Sequence, residues 1–381
     1  MARPGPTNSL VDVAGLRVGH VHRVGGGHRT GTTVVLAPAG GAVAGVDVRG
    51  AAPGTRETEL LDPRNLVERV HAVVLTGGSA YGLAAACGVM ERLADAGIGY
   101  PVSGGVVPIV PAAVIFDLGR GGSFRAVPDA SLGMASYDAA TTPPPGGAAP
   151  PDGGNVHVLP HPQRTAPSDG GRSSSPSFSQ ETAPPAASGS IGAGTGAAAG
   201  GLAGGVGTAS VVLPDGTTVA ALTVANPVGS VLDPADGTLA GARYGLPGEF
   251  GHLHPPARHE VEAWNPRKAP SFNTTIGVVA TDRTLTKAQC GKLAAVAHDG
   301  LARAIRPAHT MTDGDTIFGL ATCARPAPAQ DAFQDVLAAA ADAFSRAVAH
   351  AILAATGRED APAYLDVFPS ATVFPDTGGS S

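Results

Sequence analysis

Apolar residues follow two spacings along the chain, and each spacing predicts a different kind of element. Short runs of β-branched and other apolar residues are typical of buried strands. They predict strands at residues 11–18, 32–37, 42–48, 71–76, 208–213, 218–224, 274–281 and 316–322. Helical spacing predicts helices over residues 80–96, 287–305 and 331–356. This mixed order, with hairpins, favours sheets covered by helices over simple βαβ repetition.

Residues 140–187 interrupt the pattern. Pro, Gly, Ser and Ala dominate this segment, and its apolar residues show no periodicity. Such a segment buries too little apolar surface to offset the entropy lost on ordering. We therefore expect a disordered insertion at about 140–187. Because the same style of strand pattern resumes after it, we expect one domain over residues 1–381.

Composition narrows the classes of function. A net charge of −6 and an aromatic content of 4% argue against a nucleic-acid partner. Three cysteines do not form the pattern of a disulfide framework, which favours the cytoplasm. The first ten residues lack the pattern of a signal peptide, and no run of about 18 apolar residues stands out as a membrane span. We therefore expect a cytoplasmic protein with no membrane partner.

Two segments carry candidate chemistry. Asn273 and Thr274 open the apolar run of residues 274–281. If the chain were cut before Thr274, the new α-amine would lie beside its hydroxyl and could act as its base. The second segment places Asp313 and Asp315 just before another apolar run. Together they suggest a self-processing amidase, although each segment alone also fits a turn, and the acids with a nearby histidine fit a weak metal site.

Seven segments together resemble the L-aminopeptidase/D-esterase family, peptidase family P1, which includes β-peptidyl aminopeptidases and nylon-oligomer hydrolases. They are residues 8–20, 31–49, 75–90, 192–210, 224–229, 273–282 and 309–318. The resemblance implies an α/β fold, a four-layer αββα sandwich like that of N-terminal-nucleophile hydrolases. It also implies self-cleavage into subunits 1–273 and 274–381 and assembly as a homo-oligomer.

The resemblance also implies residue roles. The cut falls between Asn273 and Thr274, and Thr274 becomes the nucleophile that forms an acyl-enzyme. Asn226 matches the asparagine of the oxyanion hole, and Asp313 and Asp315 match an acidic pair that positions and polarises the nucleophile. The implied activity is hydrolysis of small amides or peptides from their amino end, without metal or cofactor. The local sequences around the nucleophile and the acids are closest to the nylon-oligomer hydrolase branch.

One departure keeps an alternative open. Ala203 stands where family members usually carry a lysine that is thought to contact the nucleophile, and Arg267 or Lys268 could replace it. The alternative is a catalytically impaired relative that acts as a binding or assembly protein. A third hypothesis is a dinucleotide-binding oxidoreductase. It rests on the glycine-rich run at residues 192–197, which follows no predicted strand.

Overall fold

The computed structural model of the chain describes residues 2–142, 177–266 and 272–372. In these residues the strands are β1 Arg17–Gly25, β2 His28–Leu36, β3 Ala42–Val48, β4 Thr55–Arg56, β5 Arg69–Val70, β6 Ala72–Thr76, β7 Tyr100–Val102, β8 Gly105–Val107, β9 Ala112–Val114, β10 Ser179–Ala183, β11 Ala198–Ala199, β12 Leu202–Ala203, β13 Gly205–Val212, β14 Thr218–Ala225, β15 Ile276–Arg283 and β16 Thr316–Arg325. The α-helices are α1 Ser79–Gly82, α2 Ala85–Asp95, α3 Ala130–Thr141, α4 Arg258–Ala263, α5 Lys287–Ala304, α6 Gln330–Leu353 and α7 Tyr364–Val367.

Two six-stranded sheets form the middle of the molecule. The first has the order β10-β1-β2-β6-β9-β4, and the second has the order β13-β14-β15-β16-β3-β5. Helices α2 and α3 pack on the first sheet, and α5 and α6 pack on the second. One apolar core lies between the sheets, and others lie between each sheet and its helices. The predicted four-layer αββα sandwich is confirmed.

Strand β15 shows why the central strands read as continuous apolar runs. Side chains alternate between the two faces of a strand. Val278 belongs to the core between the sheets, whereas Val279 belongs to the core under α5 and α6. Both faces are therefore buried. Gly277 allows α6 to come close, because a Cβ at this position would lie 2.7 Å from the ring of Phe344.

The strand predicted at residues 11–18 is wrong in its position. A 3₁₀ turn occupies Leu10–Asp12, and the chain turns at Gly15, whose φ is +88°. Strand β1 begins only at Arg17 and continues through buried polar residues, among them His20 and Arg23. These polar residues hide the strand from a reading based on apolar spacing.

The expected insertion at 140–187 is ordered at both of its described ends. Helix α3 continues to Thr141, and β10 pairs antiparallel with β1 as the edge strand of the first sheet. The sequence of β10, SQETA, is polar and mostly exposed, so it carries no apolar pattern. The expectation of disorder is therefore wrong at these ends, and residues 143–176 lie outside the described part of the chain.

Helix α6 has a property that was not expected from the sequence. By length and composition alone it is apolar enough to cross a membrane. However, 78% of its most apolar window is buried inside the protein. It packs against α5, β13 and β14, as the core helix of a globular domain does.

Candidate active site

The Asn273–Thr274 junction lies in a buried segment without regular secondary structure just before β15. The backbone N–H of Thr274 donates to the carbonyl of Asn226 at 2.9 Å, and that of Asn273 donates to the carbonyl of Thr312 at 3.2 Å. Asn273 and Thr274 are only 1% and 5% exposed. The junction is thus held between the end of β14 and the loop that precedes β16.

The hydroxyl of Thr274 makes two hydrogen bonds. It donates to the carbonyl oxygen of Asn273. This carbonyl is the group that the hydroxyl would attack in a cut at this junction. It also accepts from the backbone N–H of Gly314 at 3.1 Å. A hydrogen-bond donor on the hydroxyl oxygen stabilises negative charge that develops there.

The two predicted acids build the loop beside this hydroxyl. Asp315 accepts from the backbone N–H of Thr275 at 2.8 Å and from Nδ1 of His309 at 2.8 Å. Asp313 accepts from the hydroxyl of Thr310 at 2.5 Å and from its backbone N–H at 3.2 Å. Both carboxyl groups are nearly fully buried. Their hydrogen bonds fix the loop that carries the N–H donor to the threonine hydroxyl.

Asn226 follows the last residue of β14 and is fully buried. Its Oδ1 accepts from the backbone N–H of Ala198 at 3.0 Å and from Nη1 of Arg120 at 2.5 Å. Its Nδ2 donates to the carbonyl of Phe116 at 3.4 Å, a long contact. Because arginine can only donate, the oxygen of the amide must face Arg120, and the Nδ2 donor faces the other way.

Arg120 is a site residue that the sequence analysis missed. Its Nη1 donates to the carbonyl of Gly196 at 2.6 Å as well as to Asn226, and its Nη2 donates to Oδ1 of Asn273 at 3.1 Å. One guanidinium therefore joins the candidate oxyanion residue to the residue before the candidate cut. The only sequence signal is an arginine between glycines, just after an apolar run.

Burial changes the acid–base properties of this cluster. It lowers the pKa of Arg120 to about 10, so the guanidinium keeps its charge at neutral pH. Burial raises the pKa of Asp117, whose carboxylate accepts from the N–H of Gly78 at 2.6 Å. Arg358 lies close by, donates to the carbonyl of Ala197 at 3.0 Å, and has its pKa lowered by burial. Two partly buried cations thus bind the carbonyls of Gly196 and Ala197, just before β11.

Ala203, at the position of the family lysine, occupies a tightly filled place. It is fully buried in a cluster of small side chains formed with Ala198, Ala355 and Ala361. Arg267 and Lys268, the substitutes considered from the sequence, lie outside the described residues. Within the described residues, Arg120 supplies a positive charge next to the candidate oxyanion residue.

A small cavity opens at the junction. Its volume is about 120 Å³, and its lining combines apolar and small side chains with the hydroxyl groups of the site. The lining residues are Ala52, Pro53, Gly54, Ser79, Ala80, Val114, Phe116, Phe272, Asn273, Thr274 and Thr312. A concave cavity with convergent polar groups is a common form of small-molecule site.

The glycine-rich run does not form a dinucleotide fold. Gly192–Gly194 is a single 3₁₀ turn, and the residues after it form the short hairpin of β11 and β12 rather than a helix. The dinucleotide hypothesis is therefore wrong on its structural premise. Over residues 2–142, 177–266 and 272–372, no group of three or more His, Cys, Asp or Glu is arranged to hold a metal ion.

Comparison with known proteins identifies relatives over nearly the whole chain. The model of Peptidase family S58 matches residues 8–149 and 165–361. An uncharacterized aminopeptidase of Mycobacterium leprae is 45% identical over 96% of this chain and 96% of its own length. A 6-aminohexanoate-oligomer endohydrolase of Kocuria sp. is 30% identical over 82% of this chain and 74% of its own length.

Solved structures show the same fold at lower identity. A β-aminopeptidase of Burkholderia sp. superposes with a TM-score of 0.65 at 22% identity, covering 98% of this chain and 97% of its own. The L-aminopeptidase D-Ala-esterase/amidase of Ochrobactrum anthropi, described as a variant of the Ntn hydrolase fold, also gives a TM-score of 0.65, at 19% identity and with the same coverage. These likenesses agree with the four-layer sandwich.

Proposed function

The chain belongs to peptidase family S58, a family of peptidase and amidase hydrolases, and from this premise we propose that it is a self-processing amidohydrolase with Thr274 as nucleophile. The observation that carries the proposal is the position of the Thr274 hydroxyl. It contacts the carbonyl of Asn273 and accepts the N–H of Gly314. The nucleophile, the bond to be cut and a donor for the developing charge therefore lie together.

Self-cleavage begins when Oγ1 of Thr274 attacks the carbonyl carbon of Asn273. The peptide C–N bond breaks, the nitrogen takes up the hydroxyl proton, and an ester links Asn273 to the threonine oxygen. Water then hydrolyses the ester. This releases the carboxylate of Asn273 and restores the hydroxyl, now beside a free α-amine. The products are the predicted subunits 1–273 and 274–381.

Substrate hydrolysis repeats the ester chemistry on the same oxygen. The free α-amine of Thr274 removes the hydroxyl proton. The ordinary pKa of an α-amine is about 7.7–8.0, so part of it is neutral at physiological pH. Nδ2 of Asn226 is the candidate donor to the negative charge that develops on the carbonyl oxygen of the substrate. The N–H of Gly314 is the candidate donor to the charge that develops on Oγ1 of Thr274. A single oxyanion donor contributes about 3–4 kcal/mol in comparable sites. Asp313 and Asp315 keep the nucleophile and its loop in place.

We expect the substrates to be small amides or peptides. The names of the relatives, aminopeptidase and 6-aminohexanoate-oligomer endohydrolase, support this class.

Replacement of the family lysine by Ala203 still favours the alternative of an impaired binding or assembly protein. The charge of Arg120 beside Asn226 makes that alternative weaker, because a cation is present at the site. Homo-oligomer assembly and a cytoplasmic location stay predictions.

The experiment compares two adjacent threonines with the same substitution. Thr274→Val removes the proposed nucleophile, and Thr275→Val removes a buried neighbouring hydroxyl that has no hydrogen-bond partner among the described residues. We expect the first variant to stay intact and inactive and the second to be cut and active. A cut, active Thr274→Val protein would refute the assignment of the nucleophile.

A further inference from the structure

The side chain of Asn273 is bound at both ends of its amide. Oδ1 accepts from Nη2 of Arg120 at 3.1 Å, and Nδ2 donates to the carbonyl of Pro227 at 2.8 Å and to that of Ala198 at 3.4 Å. Arginine only donates and carbonyls only accept, so this orientation of the amide is fixed by chemistry. We call these three groups, Nη2 of Arg120 and the carbonyls of Pro227 and Ala198, the carboxamide cradle.

The cradle lies next to the acyl carbon of the reaction. During self-cleavage, the ester joins the carbonyl of Asn273 to Oγ1 of Thr274. During turnover, the acyl group of a substrate forms the same ester on the same oxygen. The side chain attached next to the acyl carbonyl therefore occupies the same space in both esters, and in the intact chain that space is the cradle.

We propose that, after the cut, Asn273 leaves and the carboxamide cradle becomes the acyl subsite, which selects acyl groups that carry a neutral side-chain carboxamide, such as an N-terminal asparaginyl residue. This inference rests on the proposed function. The free amino group of such a substrate would take the place of the backbone nitrogen of Asn273 and donate to the carbonyl of Thr312. The side chain of Phe272 is half-exposed and lies beside the ring of Phe116, so the residue before Asn273 already reaches the surface.

The chemistry of the cradle discriminates between similar acyl groups. A leucyl side chain has almost the same size as an asparaginyl one, but it would leave Arg120 and two carbonyls unpaired in a buried site. An aspartyl carboxylate would contact Arg120 favourably and place its second oxygen against the carbonyls of Pro227 and Ala198. Sites built to hydrogen-bond a substrate group reject analogues that lack it by a factor on the order of 10⁴, so about 100-fold is a conservative expectation here.

The experiment uses the purified cut enzyme and the para-nitroanilides of L-asparagine, L-leucine and L-aspartate. We expect kcat/KM for the asparaginyl anilide to exceed each of the other two by about 100-fold or more. Equal rates, or a preference for the leucyl anilide, would overturn the subsite while leaving the amidase intact. Cut enzyme that hydrolyses none of the three, and that is stabilised against heat by neither L-asparagine nor L-leucine, would also overturn it. An uncut, inactive chain would remove the proposed function and the subsite together.

A pair of arginine variants tests the donor of the cradle. The Arg120→Lys variant is first allowed to complete its cut. Its ratio of kcat/KM for the asparaginyl anilide to that for the leucyl anilide should fall at least about tenfold, because an ammonium does not reproduce the fork of donors. Arg23→Lys is the matched control, since Arg23 is an internal arginine with several side-chain partners, but these are Asp129, Ser131 and Gln180. An unchanged ratio in Arg120→Lys, or an equal loss in both variants, would count against the cradle.

Discussion

Replacing Arg120 by methionine should slow self-cleavage without unfolding the protein. Methionine keeps much of the side-chain bulk but removes three charge-assisted hydrogen bonds, to the carbonyl of Gly196 and to the amide oxygens of Asn226 and Asn273. Such bonds contribute about 1.5–3 kcal/mol each. The amide of Asn226 would keep the N–H of Ala198 as a partner, but it would lose the cation that fixes its orientation.

The size of the effect follows from what Asn226 does. Deleting one oxyanion donor costs about 2.7–4 kcal/mol, or roughly 10²–10³ in rate. Because Arg120→Met misorients the donor rather than deleting it, we expect the lower end, about 3 kcal/mol and on the order of 100-fold. The rate is measured by mass spectrometry as the small fragment appears from newly synthesised precursor, with the melting temperature as the test of folding.

The control is Arg23→Met, which removes the buried guanidinium of β1, whose partners are Asp129, Ser131 and Gln180. If both variants stay folded and Arg120→Met is cut at the wild-type rate, then Arg120 does not orient the site. If cleavage slows equally in both variants, the effect is a general cost of losing an arginine with several hydrogen bonds. Only a slower self-cleavage in Arg120→Met, with a wild-type rate in Arg23→Met, agrees with the role that the contacts of Arg120 indicate.

Two further predictions follow from the buried residues. Ala203→Lys forces a long, charged side chain into the alanine cluster, so it should lower stability by about 1–3 kcal/mol from overpacking alone. We expect self-cleavage, measured by mass spectrometry, to be no faster than in the wild type. Faster cleavage would show that the lysine is still needed. Burial lowers the pKa of His20 and of His298 to about 4, below the ordinary 6.5, so the unfolded chain takes up protons first as the pH falls. The stability that each neutral histidine contributes is therefore present above about pH 6.5 and is lost as the pH falls from 6.5 to 4. At pH 5 the loss is about 2 kcal/mol of unfolding free energy per histidine. A His20→Gln variant should show a smaller fall in melting temperature from pH 7 to pH 5, and an unchanged fall would contradict this.

The sequence predicted most of the fold where apolar residues dominate. The strands around residues 274–281 and 316–322 lie in the middle of a sheet with both faces buried, so their apolar runs are unmistakable. Prediction failed at β1 and β10. The first buries polar side chains against its neighbours, and the second is an exposed polar edge strand that only its pairing with β1 defines.

The candidate site divides in the same way. Thr274, Asn226 and the acid pair lie at the ends of predicted strands, and the structure brings them together within one network of hydrogen bonds. Arg120 lies in a glycine-rich loop on the other sheet, 106 positions from Asn226 and 153 from Asn273. No local spacing connects residues so far apart. Only the packing of the two sheets places the guanidinium between the two asparagines.

The mass of the denatured wild-type protein tests the central claim most directly. Self-processing predicts two fragments, residues 1–273 and 274–381, with threonine as the first residue of the smaller one. A single intact chain of 381 residues after prolonged incubation would contradict the account. It would favour a relative that keeps the fold without the cleavage.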